Sequence, residues 1–279
     1  MLTPGHLGGP VRCGVLGDPI GHSLSPVLHG AAFTALGLDW SYTAHRVPSG
    51  GLPEFLAGLG EEWRGLSLTM PLKREALSLT ATLSSRARTS GAANTLVRRD
   101  GGWHGDNTDI PGAVAALRGI GVDQVRRATL LGGGATATSV GLALVELGAR
   151  ELRLLVRDPA RAGETVEVLR GLPDPPQVEV GALAGDPVVG DVVVSTIPAS
   201  AQDDSLVQRC ADVPALFEVL YDPWPTPLAH AAGDRPLATG LDLLVHQAAL
   251  QTTLFTGLEG PVEVMRAAGE AALAGRSPA

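Results

Sequence analysis

The sequence predicts an α/β protein of two domains, and three observations lead to that prediction. The chain has 279 residues, enough for about two domains of ordinary size. Short apolar runs alternate with helical patterns, an order typical of βαβ units and a mostly parallel sheet. Three glycines at 132–134 separate an apolar strand from a helix, the order expected of a dinucleotide-binding fold. We therefore expect an open, mostly parallel α/β domain and a Rossmann domain, with C-terminal helices packing back on the first domain.

The first region, residues 1–108, is predicted to alternate strands with a helix. Val27–Leu36 has the pattern of a helix whose start is capped by Ser25 and Pro26. A turn at residues 100–102 separates two runs that favour a hairpin. The predicted strands of this region are Cys13–Leu16, Ser41–Val47, Gly65–Thr69, Asn94–Arg98 and Trp103–Gly105.

Residues 109–239 are predicted to form the Rossmann domain, and residues 240–279 to return to the first domain. The C-terminal helices are expected over Leu241–Thr256, with Asp242 as its cap, and over Val262–Leu273. The Rossmann helix after the glycines is expected over Ala135–Leu147. The predicted Rossmann strands are Ala128–Leu131, Leu152–Val156, Val178–Val180, Asp191–Ser195 and Ala215–Val219.

The composition argues against several classes of function. The net charge is −8 and the pI is near 5.3, and without clustered Lys and Arg we expect no nucleic-acid partner. Cys13 and Cys210 lie far apart without metal-ligand spacing, so we expect no metal, and unpaired thiols suit the reducing cytoplasm. No run approaches the ~18–20 apolar residues of a membrane span. We expect a cytoplasmic protein, a monomer or homodimer, that binds a small molecule.

Lys73 is the only lysine among 21 basic residues. Arginine can replace lysine as a fixed charge, but it does not readily lose a proton, because its pKa exceeds ~12. A site that needs an amine to give and take a proton would retain lysine. Lys73 follows a predicted strand that ends at Thr69, and Pro71 is expected to start a helix there. The dipole of that helix would disfavour a cation and favour release of the proton.

The glycine turn and the next strand end suggest a dinucleotide site. Gly132 and Gly134 with Ala137 fit the pattern G-x-G-x-x-G/A, in which the glycines allow a tight turn and a close approach to a pyrophosphate. Arg157 and Arg161 after the second strand suit the 2′-phosphate of NADP, whereas Asp158 between them would suit the ribose of NAD. Alternatively, Asp158 caps the following helix and the arginines face water.

Further polar residues follow the predicted strands of both domains. Ser23 and Ser25, two apart in a loop, would present two hydroxyls to a carboxylate or polyol if that loop is extended. Local turn and capping chemistry is the alternative for both serines. Lys73 and Asp109 could form a proton relay for interconversion of a carbonyl and an alcohol. The other residues of this kind are Asn94, Thr196, Tyr221 and Gln247.

These motifs resemble those of the shikimate dehydrogenase family, and they occur in the same order over nearly the whole chain. The resemblance implies an NADPH-dependent reduction of 3-dehydroshikimate to shikimate, in aromatic amino acid biosynthesis. The segments that carry it are residues 17–26 (GDPIGHSLSP), 69–73 (TMPLK), 93–95 (ANT), 107–109 (NTD), 221–228 (YDPWPTPL) and 243–248 (LLVHQA).

The resemblance also implies a role for each matching residue. Lys73 would donate a proton to the developing alkoxide with support from Asp109, and Ser23 and Ser25 would hold the shikimate carboxylate. The other substrate-binding residues would be Thr69, Asn94, Asp109, Tyr221 and Gln247. The cofactor-binding residues would be Gly132, Gly133, Gly134, Ala135, Thr136, Arg157, Arg161, Thr196, Ile197, Leu220 and Gly240.

The sequence departs from the family pattern in three segments. Ser67 stands where the family commonly has Asn, and Ala135 stands where it usually has Gly. Val156, Arg157 and Asp158 replace its usual N-R-T. Since Asp158 bears on the cofactor, an NAD-dependent quinate/shikimate dehydrogenase is the alternative enzyme, although we expect NADP. A non-catalytic protein that binds shikimate or the cofactor is the alternative outside enzymes.

Overall fold

The structure is a computed structural model that describes residues 10–276. The described chain forms two compact units, one of residues 10–108 together with residues 244–276, and the other of residues 109–243. That the first unit binds substrate and the second NADP stays a prediction. Within the described residues, no helix is both long and apolar enough to cross a membrane.

The predicted strands and helices are all present, with ends within two residues of those expected. The strands are β1 (Val11–Gly17), β2 (Trp40–Arg46), β3 (Trp63–Leu68), β4 (Thr82–Leu83), β5 (Thr95–Arg99), β6 (Gly102–Asp106), β7 (Arg127–Leu131), β8 (Glu151–Val156), β9 (Gln177–Ala182), β10 (Val192–Ser195), β11 (Ala215–Glu218) and β12 (Leu237–Ala238). The helices are α1 (Ser25–Ala35), α2 (Leu52–Ala57), α3 (Leu72–Glu75), α4 (Ser85–Ser90), α5 (Asp109–Gly119), α6 (Ala135–Glu146), α7 (Gly163–Arg170), α8 (Asp204–Arg209), α9 (Pro227–His230), α10 (Gly240–Thr256) and α11 (Val262–Ala274).

The sheet of the first unit has the strand order β2-β1-β3-β5-β6-β4. β1 is parallel to both β2 and β3, whereas β5 is antiparallel to β3 and forms the predicted hairpin with β6. The strands after β1 therefore lie on both sides of it, and the carboxyl edge at such a point is where open α/β sheets bind ligands. Because β5 begins and β6 ends at this same edge, Asn94 and Asn107 also lie there.

The sheet of the second unit is parallel throughout, in the order β12-β11-β10-β7-β8-β9. Counted from β7, this is the 3-2-1-4-5-6 order of the Rossmann fold. Leu130, Leu154 and Val194 on its central strands are fully buried, as expected for parallel strands covered on both faces. The two sheets confirm the predicted α/β fold class. The strand order reverses between β7 and β10, which brings the glycine turn after β7 beside the end of β10.

The predicted cap of α1 is wrong, whereas Asp242, the predicted cap of α10, shares that role with Thr239. Leu24, not Ser25, occupies the N-cap of α1, and Ser25 is already helical, because the helix begins one residue before Pro26. At α10 the capping side chain is Thr239, whose hydroxyl accepts from the Asp242 N–H at 3.2 Å. Asp242 in turn accepts from the Thr239 N–H at 2.8 Å, so the two residues form a reciprocal capping box.

Gly65 of β3 is required by its contact with helix α10. A Cβ at Gly65 would overlap the ring of Phe255, which is 1% exposed. Overpacking of a core in this way typically costs about 1–3 kcal/mol. We expect Gly65→Ala to lower the free energy of unfolding by that amount, measured by urea denaturation. Gly30→Ala in α1 is the control, because nothing lies within 4 Å of the added Cβ; it should not destabilise the protein. Equal stability of Gly65→Ala and wild type would contradict the prediction.

Candidate functional sites of the two units

The loops that follow β1 and β3 contact each other at the carboxyl edge of the first sheet. The N–H of Asp18 donates to the carbonyl of Met70 at 2.9 Å, and the N–H of Thr69 donates to the carbonyl of Leu16 at 2.9 Å. Gly17 is confined between these loops, since a Cβ there would overlap the Thr69 side chain. The structure thus brings the predicted serine loop beside Thr69, the first residue of the TMPLK segment.

Ser23 and Ser25 do not lie on an extended segment, so the expectation that an extended loop presents their two hydroxyls is wrong. Ser25 is the first residue of α1, and its N–H donates to the Ser23 Oγ at 3.3 Å. Ser23 is half-buried and Ser25 is buried. The local bond of Ser23 is the turn chemistry that the sequence left open as an alternative. Binding of a carboxylate by the two hydroxyls stays a prediction.

Lys73 lies in a single helical turn and is half-buried. Its backbone carbonyl accepts from the N–H of Ala93 at 2.7 Å, which holds α3 against the residue that precedes Asn94. The predicted effect of a helix dipole on Lys73 is wrong, because α3 has four residues and Lys73 belongs to its last turn as well as its first. Lys73 is therefore placed by contacts with the start of β5, not by the field of a long helix.

Asn94 is the centre of a buried hydrogen-bond network at the same edge. Its amide nitrogen donates to the Thr108 hydroxyl at 2.9 Å and to the Gln247 carbonyl oxygen at 3.2 Å. Its side-chain oxygen accepts from the Thr108 N–H and from the Thr95 hydroxyl, each at 2.8 Å. Asn94 is 2% exposed and Gln247 6%. We call Thr69, Lys73, Asn94, Thr108 and Gln247 the polar edge.

Asp109 directly follows the polar edge in sequence but belongs to the second unit. It is the first residue of α5 and is 6% exposed. The preceding Asn107 has a structural role, because its amide donates to the Ser90 hydroxyl at 2.9 Å and to the Ala92 carbonyl at 3.1 Å. The carboxylate of Asp106 is paired with Arg86 at 3.0 Å. These contacts fix the chain just before Asp109.

The glycine turn joins β7 to α6, as the sequence predicts. Gly132 has a φ of +109°, which favours glycine, and Gly134 caps α6 with nothing within 4 Å of where its Cβ would be. Ala135 and Thr136 begin α6 and are half-buried. Packing requires glycine at position 133, which the sequence did not reveal, because a Cβ there would lie 2.8 Å from the Ala162 Cα.

The segment after β8 supports the capping interpretation of Asp158. Its carboxylate accepts from the N–H of Ala160 at 3.0 Å and caps a short 3-10 turn, Pro159–Ala162. Arg157 and Arg161 are both exposed. Asp158 therefore has the capping role that the sequence left open, and Arg157 and Arg161 face water, as the same alternative expects; the Arg161 backbone lies beside Gly133.

The remaining predicted cofactor residues lie at the ends of β10 and β11. Thr196 donates from both its N–H and its hydroxyl to the Leu131 carbonyl, at 2.9 and 2.8 Å, and Ile197 beside it is buried. Leu220 and Gly240 are in contact, since a Cβ at Gly240 would lie 2.6 Å from the Leu220 backbone. Tyr221 follows Leu220 and is half-buried.

Glu218 at the end of β11 is a residue that the sequence analysis missed. Its carboxylate is fully buried and accepts from Gln202 at 2.7 Å, from the Thr226 hydroxyl at 2.9 Å and from the Leu220 N–H at 3.1 Å. These bonds join the two ends of the loop that contains Tyr221. Burial raises the pKa of Glu218, although the hydrogen bonds act in the opposite direction.

Two family models match the chain, each over part of it. One is described as the shikimate dehydrogenase substrate binding domain and matches residues 15–96. The other is described as the shikimate 5′-dehydrogenase C-terminal domain and matches residues 240–268.

Similar proteins match over nearly the full length. A shikimate dehydrogenase (NADP(+)) of Synechocystis sp. is 34% identical over 271 residues, covering 91% of this chain and 93% of the relative. The crystal structure of Mycobacterium tuberculosis shikimate dehydrogenase superposes with a TM-score of 0.83 at 40% identity, covering 94% of this chain and 100% of that one. The Thermus thermophilus enzyme in complex with NADP(H) and shikimate gives 0.79 at 30% identity, with coverage of 94% and 99%.

The buried carboxylate of Glu218 should make stability depend on pH. Because its pKa is raised in the folded state, the folded protein binds the proton more tightly than the unfolded chain. Its contribution to stability is therefore fully present below about pH 4.5 and is lost as pH rises through the folded pKa. Glu218→Gln should remove this pH dependence. At low pH it should also lower the free energy of unfolding by about 1–3 kcal/mol, because a side-chain N–H would then face the donors that bond the Glu218 carboxylate.

The measurement is urea unfolding of wild type and Glu218→Gln between pH 4.5 and 7.5. The stability difference between them should shrink as pH rises. Glu54→Gln, at an exposed position in α2, should follow the wild-type profile. A stability difference between wild type and Glu218→Gln that is the same at every pH would contradict the assignment.

Proposed function

This chain belongs to the shikimate dehydrogenase family, as its motifs predict, and from that membership we propose that it catalyses the reversible, NADPH-dependent reduction of 3-dehydroshikimate to shikimate. The observation that supports it best is the hydrogen bond between Asn94 and Gln247 on the polar edge. A substrate hydroxyl can accept from the Asn94 amide and donate to the Gln247 oxygen. It would thus replace this bond by two others and leave no buried group without a partner.

Both hydrogens of the Asn94 amide already have protein acceptors. A group that only accepts would take the Asn94 N–H away from the Gln247 oxygen and leave that oxygen with the long bond from the Thr108 hydroxyl, 3.4 Å away, and a purely apolar group would leave the Asn94 N–H itself without a partner. An alcohol is therefore the ligand that this pair suits, and a polyol such as shikimate carries several. We assign Thr69 to a neighbouring hydroxyl and Ser23 and Ser25 to the carboxylate. Tyr221, in the second unit, is assigned to the substrate from the family resemblance.

Lys73 is assigned the proton transfer. In the reductive direction its ammonium group gives a proton to the oxygen that becomes the alcohol, and in the oxidative direction its amine takes that proton back. NADPH, when bound, supplies the hydride for the carbonyl carbon. Asp109 is assigned to the same step from the resemblance, and its burial favours a specific role over a solvated one.

NADP is the proposed cofactor, and residues of the second unit support it. The open backbone at Gly134, at the start of α6, provides N–H groups for a pyrophosphate, with Gly132, Gly133, Ala135 and Thr136 around it. Arg157 and Arg161 are assigned to the 2′-phosphate, while Asp158 is engaged in a cap. The cofactor residues assigned beyond this turn are Thr196, Ile197, Leu220 and Gly240.

We also propose that the protein works in the cytoplasm, as a monomer or homodimer. The support for this location is that Cys13 and Cys210 are both free and buried, which suits a reducing compartment. Light scattering on the purified protein would decide between the two oligomeric states.

A matrix of two cofactors and two substrates tests the proposed activity. We expect shikimate with NADP to give a kcat/KM at least about tenfold higher than shikimate with NAD or quinate with NADP. Replacing both Arg157 and Arg161 by Ala should raise the KM for NADP by about 10–100-fold and leave that for NAD unchanged, because only NADP carries the 2′-phosphate. Arg118→Ala, at an exposed site, is the control. A preference for NAD would reject the cofactor assignment, and no turnover of shikimate would reject the activity.

Substitution of Lys73 tests the proton transfer. Lys73→Ala should lower kcat by about 10²–10⁴-fold with little change in the KM for shikimate, because the proton donor is lost and the binding groups are kept. Lys73→Arg should not restore the rate, since a guanidinium group retains its proton. Arg74→Ala, the exposed neighbour, should keep kcat within about twofold. Wild-type turnover in Lys73→Arg would mean that the residue acts only as a charge.

A further inference from the structure

Gln251 on α10 lies one helical turn after Gln247, so both side chains project from the same face of the helix. Gln251 is 1% exposed. Its amide nitrogen donates to the backbone carbonyl of Asn94 at 3.2 Å and to the hydroxyl of Thr95 at 3.0 Å. Gln247 thus meets the side chain of Asn94, while Gln251 meets its backbone and its neighbour. No motif of the sequence analysis includes Gln251.

The other end of the Gln251 carboxamide is also held. Its oxygen accepts from the Ser67 hydroxyl at 2.7 Å and lies 3.3 Å from the Nε2 of His29. Burial lowers the pKa of His29 to about 3, so its ring is neutral and supplies at most one N–H to this network. Tyr42 donates to Ser67 at 2.6 Å and stacks on His29, with ring centroids 4.1 Å apart. The carboxamide therefore joins α10 to β3, to the start of β5 and to α1.

This junction determines where the hydrogens of the Thr95 hydroxyl and the Asn94 amide point. The Thr95 hydroxyl has one hydrogen, and because Gln251 donates to its oxygen, that hydrogen is free to point at the Asn94 side-chain oxygen, 2.8 Å away. The oxygen of Asn94 then has two donors, Thr95 and the N–H of Thr108. Its amide N–H groups must face Thr108 and Gln247, which is the orientation that a substrate hydroxyl needs.

We propose that Gln251 is a positioning residue for the substrate, acting through Thr95 and Asn94 without touching the substrate itself. The proposal rests on the function proposed above for Asn94. Ser67 explains why this chain needs Gln251: its hydroxyl is short, and the family commonly carries Asn at that position. Ser67 and Thr95 are direct partners across antiparallel strands, so a carboxamide at position 67 is within reach of Thr95. In this chain the carboxamide comes from α10.

Gln251→Met tests the proposal, because methionine has a similar length and no hydrogen-bonding amide. The KM for shikimate should rise about tenfold or more, while the KM for NADP stays within about twofold, since the nucleotide is assigned to other residues. Thr252→Val is the matched control. Thr252 is the next residue of α10 and is fully buried, and it bonds His29 and the Ala248 carbonyl. It should lose stability without a change in either KM.

A rescue separates positioning from general destabilisation. Adding Ser67→Asn to Gln251→Ala should lower the KM for shikimate most of the way back to the wild-type value, because the amide at position 67 can again hold the Thr95 hydroxyl. Should Gln251→Met not fold, Gln251→Asn retains the amide but shortens its reach, and the same rise in KM is expected. An unchanged KM in the folded Gln251 variants, or an equal rise in Thr252→Val, would overturn the proposal.

A second measurement does not depend on turnover. Hydrogen exchange of the Asn94 side-chain amide, followed by NMR, should be about tenfold faster in Gln251→Met than in wild type, and unchanged in Thr252→Val. Equal exchange rates in the wild type and Gln251→Met would refute the positioning role even if shikimate proved not to be the substrate. Conversely, a wild-type protein that does not oxidise shikimate but shows the faster exchange in Gln251→Met would reject the proposed function and keep the inference.

Discussion

A buried polar group needs a hydrogen-bond partner, and this requirement shapes the carboxyl edges of the sheets in both units. In the first unit the amide of Asn94 donates hydrogen bonds to Thr108 and Gln247, which come from distant parts of the sequence. In the second unit the carboxylate of Glu218 draws in Gln202 and Thr226. Both networks lie where strands end, and both contain or adjoin residues assigned to ligands. The bonds that make burial tolerable thus also orient the groups that would bind a ligand.

The strand order determines which residues can take part in these networks. In the first sheet β1 lies between β2 and β3, and in the second β7 lies between β8 and β10. The carboxyl edge at such a point is where open α/β sheets bind ligands. The glycine turn after β7 and Thr196 after β10 meet there, joined by two bonds to the Leu131 carbonyl. Residues far apart in sequence become neighbours because parallel strands share an edge.

The sequence could predict what local chemistry determines. The turn at Gly132 was predictable because its φ of +109° favours glycine, and the long strands and helices carry a clear periodicity. Helix α3 has too few residues for periodicity, so the field around Lys73 was misjudged. Gln251 lies 157 residues from Asn94, and the role of Glu218 depends on side chains that meet only in the fold. Because no local pattern encodes such contacts, the motif residues were found and the residues that hold them were not.

Lysine and arginine occupy positions with different chemical requirements in this chain. Arginine stands where a fixed charge or a fork of donors is sufficient: Arg86 pairs with Asp106, Arg46 pairs with Asp18, and Arg157 stands where a phosphate is proposed. Lysine occurs once, in the turn that the Ala93 N–H holds against the start of β5. A proton donor in a reversible reaction must also be able to act as the acceptor, and a guanidinium group cannot do both. The single lysine therefore marks the position at which the proposed chemistry requires a proton to leave and return, and its fixed backbone matters because proton transfer depends on distance.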